Sequence, residues 1–162
     1  MIRLSRIVAA TAFFFAISGC QKDDICPEGT ETTPLLVIDF TDVQDPSRLK
    51  AVEGLVVRAT GIEEDYLGPT NTNSISIPLR TDQNFTEYSF VLNGGTDSEN
   101  EDIVTFSYNP APDYLNRACG YKIDFLNIEV NVHSDEDTWI TSGIILQENV
   151  ENETEAHISF TH

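Results

Sequence analysis

Short runs in which apolar and polar residues alternate at every second position constrain this chain more than any other feature. SISIPL (74–79) sets Ile75, Ile77 and Leu79 on one side and Ser74 and Ser76 on the other. FTEYSFVL (85–92) repeats the pattern with Tyr88, Phe90 and Leu92, and DIVTFSY (102–108) with Val104, Phe106 and Tyr108. A period of two marks a strand with one buried face. No segment carries a 3.6-residue apolar period over three turns, so helices are not expected to build the core. PLLVIDF (34–40) places Leu36, Ile38 and Phe40 on one face, and GLVVRAT (54–60), TWITSGIIL (138–146) and AHISF (156–160) are further strand candidates. The expected fold is all-β: a single antiparallel β-sandwich of Ig-like or Greek-key type with about seven or eight strands. A closed barrel is the second choice.

Local features refine this. Pro78 lacks a donor N–H, which puts SISIPL at a sheet edge or a strand end. In DVQDPSRLK, Asp45 as cap and Pro46 at the first position suit one helical turn. ACGYKIDFLNIEVNVH (118–133) alternates through Cys119, Tyr121, Ile123 and Phe125, then changes phase to Leu126, Ile128, Val130 and Val132. A one-residue slip turns every later side chain to the other face, so a bulge or break is expected at Phe125–Leu126. GIEEDYLGPTNTN, NPAPDYLNR and QENVENETE read as loops. Phe40, Tyr88, Phe90, Phe106, Tyr121 and Phe125 take inward positions, whereas Tyr66, Tyr114 and Trp139 lie in loops or at unassigned phase.

The first twenty residues have a different character. Arg3 and Arg6 precede an apolar stretch, Ile7 to Ile17, and no acidic residue occurs before Asp23. That stretch is too short to cross a bilayer as a helix, which takes about 20 residues. A basic start, a short apolar stretch and small residues describe a cleavable signal. Ile17-Ser18-Gly19-Cys20 resembles the bacterial lipobox, which implies a diacylglycerol on Cys20 and cleavage just before it. Gln21-Lys22-Asp23-Asp24 resembles the surface-export signal of Bacteroidetes lipoproteins. The expected organisation is a signal peptide at 1–19, a lipidated Cys with a short tether at 20–33, and the sandwich at 34–162. The expected location is the outer membrane, lipid-anchored and facing the cell surface, with the membrane as a partner through the N-terminal lipid.

The chain carries nine basic and 27 acidic residues. Without Arg3 and Arg6, seven basic residues face those 27, a net charge of −20. Such a field excludes nucleic-acid binding, which depends on Lys and Arg neutralising phosphates. With Cys20 lipidated, Cys26 and Cys119 remain, and an even pair in an exported chain suggests a disulfide. A bridge across that separation is worth about 4.6 kcal/mol in the chain-entropy model.

Catalytic chemistry finds little support in the sequence. His133, His157 and His162 form no HxH or HExxH pair; His133 adjoins the acids 135–137, and His157 alternates outward from Ala156 and Ile158. Serines lack a GxSxG elbow, and neither Cys26 nor Cys119 has a neighbouring His. No cofactor is expected; calcium is the best ligand guess. Asp97, Glu99 and Glu101 cluster in one loop, with Asp102 beside them, and Asp135 and Asp137 in another, and hard cations take several oxygens at one point. Neither loop has EF-hand spacing, and solvated loop acids explain both.

Taken together, CQKDDIC (20–26), TTPLLVIDF (32–40), SISIPL (74–79) and ACGYKIDF (118–125) resemble an uncharacterised family of small Bacteroidetes lipoproteins. The resemblance implies an envelope location, fits the placement of Cys26 and Cys119, and implies no activity. The expected function is a non-enzymatic interaction or structural module contacting an envelope protein or a glycan. The alternative is a calcium-dependent binding module, or a small hydrolase, with its site built from the acidic loops.

Overall fold

The computed structural model describes residues 25–162. The signal segment 1–19, Cys20 and the export residues Gln21, Lys22, Asp23 and Asp24 lie outside them. Among the described residues there are ten strands and no helix: β1 (Leu36–Asp42), β2 (Asp45–Leu49), β3 (Val52–Ala59), β4 (Leu67–Thr72), β5 (Ser74–Ile77), β6 (Phe85–Leu92), β7 (Asn100–Asn116), β8 (Gly120–His133), β9 (Ser142–Ile145) and β10 (Ile158–Thr161). They form two five-stranded sheets, one ordered β2-β1-β10-β9 with β5 also paired to β1, the other β4-β3-β6-β7-β8. The sheets face each other across one apolar core, so the fold is a β-sandwich.

The alternation seen in the sequence builds that core. Leu36, Ile38 and Phe40 of β1 meet Phe90 of β6, Val104 and Phe106 of β7, and Ile158 and Phe160 of β10, all fully buried. Phe160 is the hub: its ring centroid lies 5.6 Å from Phe90, 6.3 Å from Phe106 and 6.1 Å from Phe40. Edge-to-face aromatic contacts such as the first add to the stabilisation from buried area alone. Gly143 lets β9 approach: a Cβ there would lie 3.0 Å from the Phe160 ring and 3.1 Å from Val130.

Four expectations are corrected. First, the sandwich is not wholly antiparallel. β1 and β10 pair in parallel, with Ile38 opposite Ile158 and Phe40 opposite Phe160. Second, 45–49 is the edge strand β2 and not a helical turn. Asp45 does accept the Ser47 N–H at 3.2 Å, so the capping bond forms without the helix. Third, β4 occupies part of the expected acidic loop. Both strands are edge strands with no buried residue, so neither carries an apolar period to read. Fourth, β7 does not end at Tyr108 but runs through Pro110 and Pro112 to Asn116, paired with β8. Tyr108 donates its N–H to Asn84 O on the β6 side. The period of two aims positions 110 and 112 the same way, beyond the end of β6, so the two prolines forfeit no ladder bond.

The expected irregularity in β8 is present. Ser107 faces Glu129 and Asn109 faces Leu126, so β8 carries one extra residue there. Asn127 takes it up with φ +53°, in the left-handed region that Asn tolerates better than most residues. Phe125 and Ile128 are thereby both buried. Pro78 follows the last residue of β5, as expected.

Beyond the bulge, β7 and β8 extend as a hairpin past the end of β6. Its β8 edge is covered. Thr33 Oγ1 accepts the Ile123 N–H at 2.9 Å, Val150 exchanges both backbone bonds with Phe125, and Glu148 O accepts the Ile128 N–H at 2.8 Å. Cys26 and Cys119 are bonded, their Cα atoms 4.8 Å apart. Lys122, nearly buried, reaches Glu31 at 3.0 Å and Asp124 at 3.2 Å. Burial pulls the Lys122 ammonium down, but the bonds to Glu31 and Asp124 outweigh it and the net shift is upward. Covalent bond, hydroxyl and ion pair together hold residues 26–33 against the hairpin. Tyr121, expected inward, is exposed instead, because the hairpin projects past the opposing sheet at that point.

His157 also departs from expectation. It is fully buried, and its backbone N–H donates to Val37 O at 2.9 Å while Nδ1 accepts the Val37 N–H at 3.1 Å. The ring thus extends the β1–β10 ladder by one step. Trp139, unassigned from the sequence, is buried too, and His162 packs edge-on against it at 5.7 Å.

Two predictions follow from this packing. Phe160→Ala is expected to cost about 3–5 kcal/mol, read as a lowered denaturation midpoint in urea with an unchanged slope; a loss below 1 kcal/mol contradicts its place at the hub. Burial lowers the proton affinity of both His157 and His162 below that of a free imidazole, about 6.5. Below that value the unfolded chain takes up protons that the folded rings refuse, so this contribution is intact at neutral pH and declines as pH falls, by at most about 1.4 kcal/mol per pH unit for each ring. Denaturation between pH 7.5 and 5.5 should show a shallower decline for His157→Gln than for the wild type; parallel curves would show that the ring titrates freely.

Candidate functional site

The clearest concavity lies where β3 ends and β6 begins. β3 stops at Ala59, and the turn closes with the Ile62 N–H donating to Ala59 O at 3.0 Å. Across from it runs the segment after β5, which Pro78 takes out of the ladder. Side-chain hydroxyls hold that segment in place: Tyr88 donates to Pro78 O at 2.7 Å, Tyr108 donates to Arg80 O at 2.9 Å, and Thr86 Oγ1 accepts the Arg80 N–H at 2.8 Å. Burial pushes the Tyr88 and Tyr108 hydroxyls up, so both remain protonated donors at neutral pH.

Between these walls is a cleft of about 590 Å³, lined chiefly by Ala59, Ile62, Pro78, Leu79, Phe85 and Tyr88. A hollow of about 340 Å³ shares Ala59, Ile62, Pro78 and Tyr88 with it and adds Tyr66. On its rim Ile62, Tyr66 and Phe85 stand 56%, 48% and 46% exposed. Several of the polar groups nearby are already engaged, whereas Gln83 and Thr60, which also line the cleft, keep their side-chain donors and acceptors. Arg80 makes two bonds to Asp82, at 2.9 and 3.1 Å, and Arg58 bonds Asp65 at 2.8 Å. Tyr66 donates to Ser76 O, and Glu87 accepts from Thr105. What the cleft offers a ligand is therefore mainly apolar surface.

The sequence singled out other places. Both acidic loops lie at the opposite end of the sandwich, and Asn100 Nδ2, donating to Asp137 O, joins them. Some of their oxygens serve local turns, Glu99 accepting the Gly95 N–H and Asp135 the Asp137 N–H and the Thr138 hydroxyl, while Glu101, at the start of β7, accepts the Ser89 hydroxyl from β6. Among the described residues no group of three or more His, Cys, Asp or Glu side chains is placed to hold a metal ion, so Asp97, Glu99, Glu101, Asp135 and Asp137 are not brought into one coordination sphere. Asp102 is not a loop acid: fully buried on β7, it accepts the N–H groups of Trp139 and Ile140 at 3.0 and 2.7 Å. Burial pushes its carboxyl up and the two N–H bonds pull part of that back. Its task is to fasten the β8–β9 connection to the sheet. His133 shares a 2.8 Å hydrogen bond with Thr105 on the outer face of β7–β8, and its ring lies 3.9 Å from Glu87, which lines the cleft.

Sequence reasoning missed Ile62 and Phe85. Phe85 did carry a signal, since the phase of Tyr88 and Phe90 turns it outward, where a large aromatic is costly unless it is covered.

The model of a family of unknown function, DUF6452, matches residues 55–162. No curated protein and no solved structure matches the chain. The matched region starts within β3 and takes in both walls of the cleft, the long hairpin and the last strand. The chain belongs to the DUF6452 family, whose function is unknown.

Proposed function

We propose that the protein is a lipid-anchored outer-membrane lipoprotein of the Bacteroidetes type, displayed at the cell surface, that binds a polypeptide partner through the cleft and catalyses no reaction. The observation that carries the binding reading is the apolar rim of Ile62, Tyr66 and Phe85, exposed beside a cleft in which Tyr66, Arg80 and Tyr88 are already engaged within the fold. A glycan needs free donors and acceptors for its hydroxyls, whereas apolar side chains of a protein segment need surface of this kind. The anchoring reading rests on Ile17-Ser18-Gly19-Cys20 and Lys22-Asp23-Asp24. The clipped segment 26–33 supports it, because force on the tether meets a disulfide before it reaches β1.

Protease added to intact cells should remove the native domain and spare a variant with Lys22, Asp23 and Asp24 replaced by Ala. Equal protection of both, with the outer membrane intact, places the domain on the periplasmic side and overturns surface display. A photo-crosslinking residue at position 62 should give one discrete protein adduct that Phe85→Asp abolishes and that position 145, on exposed β9, does not give. Indistinguishable adducts from the two positions overturn the cleft as binding site.

A further inference from the structure

The hairpin tip carries an exposed aromatic pair that the cleft does not use. Tyr114 and Tyr121 are 57% and 65% exposed, yet their rings meet at 5.1 Å across the hairpin. A Tyr pair open to water needs a reason. Tyr121 lines the same hollow as Cys26, and Ile25, 78% exposed, is next in the chain. We infer that this tip rests in the headgroup layer of the membrane that holds the anchor, with Tyr114 and Tyr121 as its contact residues.

The inference depends on the lipid-anchor reading above. Five residues separate Cys20 from Cys26, so even a fully extended tether spans at most about 20 Å. The disulfide passes that limit on to Cys119 at the turn of the hairpin, beside both tyrosines. Whatever else the domain does, this end cannot leave the membrane surface by more than the tether's length. Tyrosine suits that depth, since its ring is apolar and its hydroxyl reaches water and headgroups.

Charge points the same way. Around the tip Glu28, Glu31, Asp113 and Asp124 are partly offset by Arg117 and Lys122. At the opposite end Asp97, Glu99, Glu101, Asp135, Glu136 and Asp137 stand without a Lys or Arg in either loop. An anionic surface therefore repels the far end more strongly than the tip. A second copy of the chain is a poorer occupant. The open edge of the hairpin is β7, where Pro110 and Pro112 remove the donors that an added strand would use.

The test uses the full lipidated chain in phosphatidylcholine vesicles, with and without lipids brominated near the top of the acyl chains. Tyr121→Trp adds an indole at the tip; the native Trp139 in the core serves as the internal control. The added emission should fall about twofold in brominated vesicles, as for an interfacial aromatic, while wild-type emission stays unchanged. Vesicle flotation and the mass of the acylated N-terminal peptide are recorded on the same samples. If the protein is acylated at Cys20 and floats but the added emission is unquenched, the tip inference is wrong and the anchor reading stands. Emission that changes with protein concentration instead of bromine makes the tip a contact between copies and also overturns it. If Cys20 carries no acyl group, both readings fall.

Discussion

The parallel pairing of β1 with β10 is the contact on which the rest of the sandwich depends. It joins residues about 120 positions apart, so the chain closes its loop entropy late and recovers it only when both ends are in place. Once paired, β10 presents Ile158 and Phe160 to the opposite sheet, and Phe160 becomes the ring that Phe40, Phe90 and Phe106 share. Without it β9 would have no partner within its own sheet. His157 sits at the start of this ladder as a neutral ring bonded to Val37, which links the integrity of the closing strand to proton concentration below neutrality.

Unpaired strand edges invite association with other chains, and several edges here are covered or carry prolines. The tether segment and residues 148–150 cover β8, and prolines line the free stretch of β7. β2 and β4 are short edge strands that carry Pro46 and Pro69. The disulfide contributes to this beyond its entropic term. It keeps residues 26–33 on the hairpin, and with them the cover over β8. Clip and edge protection thus rely on one short stretch of chain.

The cleft has the same origin. Pro78 ends β5 early, the chain leaves its sheet, and the hydroxyls of Tyr88, Thr86 and Tyr108 catch it. Those bonds engage several of the polar groups that would otherwise face a ligand, leaving Gln83 and Thr60 among the apolar side chains. The surface left over is mainly apolar, and this separates a protein-binding reading from a sugar-binding one. The acidic loops, which drew notice in the sequence, lie at the far end, and Glu99 and Asp135 there are bonded within turns.

From the sequence alone, the two-residue alternation determined the β class, eight of the ten strands and nearly all of the core, because burial of one strand face is a local property that the period of side chains records. The slip after Phe125 announced the bulge for the same reason, and the even cysteine pair announced the disulfide. β2, β4 and the run of β7 beyond Tyr108 left no trace, since strands held by backbone bonds alone impose no apolar period. Tyr121 was misjudged and His157 mistaken for a surface residue, because alternation tells which side a residue faces and not whether anything covers that side. Parallel closure by β10, burial of Asp102 and Lys122, and a cleft between Ile62 and Phe85 were decided only by the tertiary structure. Each depends on bringing together segments whose meeting no local pattern encodes.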